Sequence, residues 1–266
     1  MPLPDFYYEI LSNQKIYIPV ILLFLKTCYN VGGDFIHIPD GYLGPITYIA
    51  LWLVMIPIWI IAARKLKRTL KKRQVPLLAL GAAFSFVIMM FNVPIPGGTT
   101  GHAVGGTLIA IVLGPWAALI AVSIALVIQA LFFGDGGITT LGANCFNMGL
   151  ILPFIGYYTY KWLAENSPVD SSRRWITAGI GAYIGINAAA IIVGIELGIQ
   201  PYLYHTASGQ ALYCPYPLTV TIPAMAIGHL LFFGFVEMII TALVVKYLQS
   251  ADKSLIEQEM NVEVIK

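Results

Sequence analysis

Charge is what this sequence has least of. Asp, Glu, Lys and Arg make up 11% of its 266 residues, against 58% hydrophobic ones, and the mean hydropathy is +0.80. A water-soluble domain carries about a quarter charged residues, so this chain cannot clothe itself for water. Cysteine is scarce too. Cys28, Cys145 and Cys214 stand alone without CxxC spacing, which excludes a thiolate metal site and a disulfide framework. There is no Walker A pattern and no GxGxxG opening a helix, so the chain does not look able to hydrolyse ATP itself. There is no HExxH either, the helical signature that a metal-dependent hydrolase would favour. The net charge of +2 says little by itself, and no nucleic-acid partner is implied.

What the chain has in abundance is long apolar runs. They predict an all-α integral membrane protein, a bundle of seven transmembrane helices over residues 43–63, 75–91, 103–113, 115–133, 145–163, 175–199 and 220–248. The 103–113 run is too short for an upright crossing. A further apolar stretch at 16–25 suits a signal-peptide core or an extra N-terminal helix. The expected organisation is an N-terminal extension over 1–35, a transmembrane domain over 36–250 and a charged tail over 251–266. "ARKLKRTLKKR", residues 63–73, carries seven basic side chains and by the positive-inside rule belongs in the cytoplasm. Counting outward from it, Lys161, Arg173, Arg174 and Lys246 also fall on the cytoplasmic side, as does the C-terminus. The loops holding His37, His102 and His205, and those at 134–144 and 200–219, fall outside.

Two of those histidines sit in Gly/Pro-rich loops at the mouth of the bundle: His37 in "FIHIPDGYLGP" and His102 in "PIPGGTTGHAVGG". Neutral imidazole is the commonest side-chain ligand for transition metals. The alternative reading is two solvated loop residues. Irregular backbone near a membrane is tolerated only where it is buried in protein or lines a cavity, so the 94–106 loop is expected to fold into the bundle. Asn144 and Asn147, three apart at a helix start, could hydrogen-bond the histidine loop from behind, or serve as a cap and an interhelical contact. Asp135 reads as a plain loop carboxylate. Glu237 lies within the last apolar run, with His229 two turns earlier; an ionisable group at that depth is costly unless paired. "GAYIG" (181–185) and "GIELG" (194–198) read as close helix–helix contacts.

"HIPDGYL" at 37–43, "PIPGGTTGH" at 94–102, "GGITTLGANCFNMG" at 136–149 and "GHLLFFGFVEMIITALVV" at 228–245 resemble, in order, the CbiM/NikM family, the substrate-binding components of energy-coupling factor cobalt and nickel transporters. The resemblance implies capture of Co(2+) or Ni(2+), with no cofactor and no catalysis by the chain itself. It places the chain in the cell membrane and implies partners: a transmembrane coupling protein, ATPase subunits docked through it and a small accessory membrane subunit. Family members normally begin Met-His. Their α-amine, second backbone nitrogen and first imidazole bind the metal, and a later loop histidine completes the set. Carried over, the metal ligands are His37 and His102, with Ile36 in the amine-bearing position. Such an all-nitrogen set suits d⁸ Ni(II) and can hold Co(II), and it rejects oxygen-seeking magnesium and calcium. Here the first histidine is internal. A free amine on Ile36 requires a cut after Phe35, a large residue where signal peptidase wants a small one; otherwise the extension remains as an eighth helix or a surface segment. The rival from another class is an intramembrane metal-dependent enzyme, which would need Glu237 or Asp135 as acid or base beside the metal.

Overall fold

The computed structural model describes residues 37–91, 93–95 and 99–256; the sequence expectations for 1–36 and for the tail beyond 256 lie outside them. Helix α1 (Pro45–Thr69) opens with Pro45 at its first turn, where the missing N–H costs nothing, and closes with Lys67 and Arg68 in the last turn, where cations suit the dipole. It runs six residues past the expected end of the apolar run. Arg64 and Lys65 are therefore helical, and the Lys65 ammonium lies 4.4 Å from the centre of the Trp116 ring. Long basic side chains can lie along apolar surface and keep their heads at the membrane edge, so a basic run need not end the helix. A 3₁₀ turn (Lys72–Gln74) leads into α2 (Val75–Met89).

The chain then leaves helical geometry. Strands β1 (Val93–Ile95) and β2 (Thr99–Gly101) pair antiparallel, Val93 opposite Gly101 and Ile95 opposite Thr99. Helix α3 (Gly106–Leu113) follows. Its eight residues extend about 12 Å, well short of a bilayer core of about 30 Å; the segment is a buried half-helix entered through a hairpin. Residues 102–105 are buried without regular structure, so this irregular backbone is enclosed by protein. Gly114, at φ +93°, ends α3 and begins α4 (Pro115–Ile128) with no loop between them.

Helix α4 continues through a π-turn (Gln129–Phe133). Helix α5 (Leu141–Asn144) passes through a second π-turn (Cys145–Ile151) into α6 (Leu152–Leu163). The long α7 (Ser172–Gly198) and the short α8 (Gln200–Leu203) come next. A third π-turn (His229–Phe233) separates α9 (Leu218–Gly228) from α10 (Gly234–Ala251). Among the described residues, four stretches can cross a membrane by length and composition: Pro45–Thr69, Pro115–Phe133, Ser172–Leu203 and Leu218–Ala251, with Val75–Met89 a shorter apolar helix.

Helix α4 lies at the centre, with Ala118, Leu119, Ala121, Val122 and Ala125 fully enclosed, while α1 leaves Ile46, Leu53, Val54 and Ile60 exposed for lipid. Helix α7 is the hub of the second half. A Cβ at Gly181 would lie 2.4 Å from the Gly156 carbonyl oxygen, and one at Gly185 2.5 Å from that of Leu152. At the other end of α7, a Cβ at Gly194 would lie 3.0 Å from the Ile222 Cα and one at Gly198 2.7 Å from that of Leu218. Both glycine pairs therefore bring backbones into contact, as small residues do between membrane helices.

Candidate metal centre

The segment 37–40 is sewn to the loop 135–144 through backbone groups. The Ile38 N–H donates to Asn144 Oδ1 at 3.0 Å, and Asn144 Nδ2 donates back to the Ile38 carbonyl at 3.1 Å. The same carbonyl accepts from the Gly137 N–H and from the Thr140 hydroxyl. Asp40 accepts the N–H groups of Ile138 (3.1 Å) and Thr139 (2.8 Å). Burial pushes the Asp40 carboxyl up, but these bonds and the Thr139 hydroxyl outweigh it and hold it below its usual value of 3.8. The contact demands glycine. A Cβ at Gly137 would sit 2.4 Å from the Asp40 nitrogen. Gly136, at φ +86°, would bring one to 3.0 Å from the His37 Cβ.

This clamp buries His37, which is 3% exposed. Its Nδ1–H donates to Asp135 Oδ1 at 3.1 Å, while the buried Nε2 has no partner among the described residues. A carboxylate on one ring nitrogen fixes the tautomer and leaves the other as a lone-pair donor, the arrangement of metal-bound imidazoles. Burial raises the Asp135 carboxyl, but the interactions with His37, its hydrogen bond first, bring it below 3.8. Asp135 is therefore a partner of His37, although its sequence surroundings suggest only a loop carboxylate.

His102 arrives from the hairpin and packs edge-on to His37, with ring centroids 5.1 Å apart. Its Nδ1–H donates to the Ala103 carbonyl at 3.0 Å, which leaves Nε2 as the basic nitrogen. Burial, then the neighbouring charge of His37, pushes its pKa down to about 3; it stays neutral, the form that ligates metal. The residues after His102 are pinned from across the bundle. Glu237 Oε2 accepts from Val104 N–H at 2.7 Å and both its oxygens accept from Gly105 N–H, at 3.0 and 3.1 Å. Glu237 is fully buried, and its two oxygens are spent on backbone. No hydrogen bond links it to His102 among the described residues.

The other polar candidates lie elsewhere. Asn147 does not join Asn144 behind the histidine loop. Its Nδ2 donates to Glu196 Oε2 at 2.7 Å, because the π-turn that begins at Cys145 changes the angular spacing after Asn144. His229 Nδ1 bonds the Met225 carbonyl and His205 Nδ1 that of Pro201. Cys145 and Cys214 are buried free thiols. Ile36 lies outside the described residues, and among those described no three His, Cys, Asp or Glu side chains gather as a metal cluster. The described portion thus supplies two imidazole nitrogens.

Long apolar helices around a buried pair of imidazoles, one oriented by a carboxylate and the other by a backbone carbonyl, define a membrane component for cobalt or nickel transport. The chain belongs to the CbiM family: the family's cobalt uptake substrate-specific transmembrane region matches residues 37–255. A putative metal transport protein of Methanocaldococcus jannaschii is 56% identical over 80% of this chain and 91% of its own length. The fused nickel transport protein NikMN of Rhodobacter capsulatus is 51% identical over 83% of this chain, which spans 63% of that longer protein. A crystal structure of a truncated transition metal transporter superposes with a TM-score of 0.77, at 53% identity, over 81% of this chain and 99% of its own.

Proposed function

We propose that this protein captures nickel or cobalt at the external face of the cell membrane and holds it between His37 and His102, as the metal-recognising subunit of an ATP-driven importer. The pairing of the two buried rings, 5.1 Å apart and each with one nitrogen committed elsewhere, carries this reading. Imidazole selects late transition metals over magnesium and calcium. Relatives of this chain at 51 and 52% identity are named for nickel transport, and one at 31% for cobalt. ATP hydrolysis falls to partner subunits reached through a membrane-embedded coupling protein. The topology has seven crossings, the short α3 making the third, and the C-terminus lies in the cytoplasm, on the same side of the membrane as the basic end of α1. The occupation of Glu237 by backbone N–H groups supports transport over an intramembrane enzyme, which would need that carboxylate free beside the metal.

Ile36 completes the site when it carries a free amine. The amine, the His37 amide nitrogen and the His37 imidazole then form fused five- and six-membered chelate rings. The six-membered ring closes through Nδ1, so the imidazole must turn about Cβ–Cγ and give Nε2 to Asp135 instead. Calorimetric titration of the purified protein with Ni(II) tests the centre: His102→Ala abolishes high-affinity binding while the protein still inserts and elutes as a single species. Equal binding by variant and parent removes His102 from the site. N-terminal sequencing of protein from its native host reads whether the amine belongs to Ile36.

A further inference from the structure

One buried carboxylate plays no part in the histidine centre. Glu196, in the last turn of α7, is 6% exposed, and Asn147, in the second π-turn, is fully buried. Asn147 Nδ2 donates to Glu196 Oε2. That single bond leaves Glu196 Oε1 and Asn147 Oδ1 buried, and among the described residues neither has a partner. Two acceptors on hydrogen-bonded side chains therefore lack a donor among the described residues. The neighbouring amide cannot supply one: Gln200 Nε2 is spent on the Glu196 carbonyl and the Thr47 hydroxyl, and Gln200 Oε1 accepts from Gly44. No lysine or arginine pairs with Glu196 among the described residues. A carboxylate left so in a membrane bundle is costly, and such groups mark ion pathways. A divalent cation can take a lone pair from each oxygen, and its charge more than offsets that of the carboxylate.

We propose that Glu196 and Asn147 form a second divalent-cation site, lined by oxygen, about one helical turn along from Asn144, the residue that holds Ile38 beside His37. This rests on the import reading above. Carboxylate and amide oxygens hold Ni(II) and Co(II) less firmly than imidazole does. The second site is thus a resting place for the ion once it leaves the nitrogen ligands, because an ion in transit must be bound weakly enough to move on.

Mn(II) separates the two sites, since it favours oxygen ligands and stands lowest in the divalent affinity order. The full-length protein, first saturated with Ni(II), is titrated with Mn(II) and bound manganese is read by electron paramagnetic resonance. The expected result is one Mn(II) per chain, weakened about tenfold or more in Glu196→Gln and in Asn147→Leu, with Ni(II) affinity unchanged in both. Retained Ni(II) binding shows that a variant is folded; if one variant does not fold, the other decides. No Mn(II) bound by the parent means a protonated acid or a water there, and overturns the proposal. Mn(II) binding that survives both substitutions overturns it as well. Failure of the parent to bind Ni(II) refutes the import reading instead, and it is read independently of the manganese signal.

Discussion

Removing the Glu237 carboxylate is the sharpest way to ask whether the far side of the bundle sets the metal affinity. Two backbone donors, Val104 N–H and Gly105 N–H, depend on it. Each buried donor left without an acceptor costs about 1–3 kcal/mol, so Glu237→Ala destabilises the turn after His102 by about 2–6 kcal/mol. That is a large share of a typical stability of about 5–15 kcal/mol. Glu237→Gln keeps one acceptor oxygen and sets an amide against the second donor, for a loss of about 1–3 kcal/mol. Much of this appears as weaker metal binding, because a released loop must be ordered again around the ion, at about 1–2 kcal/mol per residue. With about 1.4 kcal/mol per tenfold, Ni(II) affinity falls about tenfold in Glu237→Gln and about a hundredfold in Glu237→Ala. Calorimetry on purified protein measures this. The d–d absorption band of bound Ni(II) is unchanged in Glu237→Gln, since no ligand has been lost. Parental affinity in Glu237→Ala, together with an unaltered melting temperature, refutes the idea that this carboxylate holds His102 in place.

Two further perturbations address the opposite wall. Gly136→Ala forces a left-handed backbone on a side chain whose Cβ meets His37, and should lower stability by about 1–3 kcal/mol and weaken Ni(II) binding. Gly134→Ala, also at positive φ but with open space around its Cβ, should leave binding intact, and equal binding losses in the two would show that backbone strain alone is responsible. The Asp40 carboxyl is held below 3.8 in the folded protein, so its contribution is present above the unfolded pKa and is lost as pH falls through the lower folded value. The protection factors of the Ile138 and Thr139 amides, taken relative to intrinsic exchange, should therefore fall only on acidification below about pH 4; protection that declines from neutral pH downward would contradict this assignment.

The helices were legible because apolar length and Gly/Pro punctuation report them directly. Gly114-Pro115 marks a turn in the sequence, and the chain turns there without a loop. The first histidine motif was legible as a unit, but its inner logic was not. Asp40 and Asp135 lie about a hundred residues apart, and only the folded loop shows Asp135 meeting His37 and Asp40 meeting Thr139. The signal available was a second carboxylate in another loop placed on the same face. Asn144 and Asn147 were paired by α-helical spacing, and that pairing fails at Cys145 because α and π geometry share one apolar pattern. The shortness of α3 was visible in the 103–113 run, whereas the hairpin ahead of it was concealed by glycines that permit many conformations.

Each of the three π-turns adjoins a residue that steadies the histidine pair: Gln129–Phe133 precedes Asp135, Cys145–Ile151 follows Asn144, and His229–Phe233 precedes Glu237. A π-turn is one surplus residue taken up inside a helix. Deleting a residue from an α-helical stretch swings everything beyond it by about 100°; in Leu152–Leu163 this would carry Gly156 away from Gly181. Deleting one within Cys145–Ile151 restores ordinary winding and leaves the glycine faces of α6 and α7 in phase. The turns at Cys145–Ile151 and His229–Phe233, each continued by a helix, are thus the places where the length of a helix is uncoupled from the direction its residues face, so the loops around the metal can be re-aimed there without unseating the bundle beneath them.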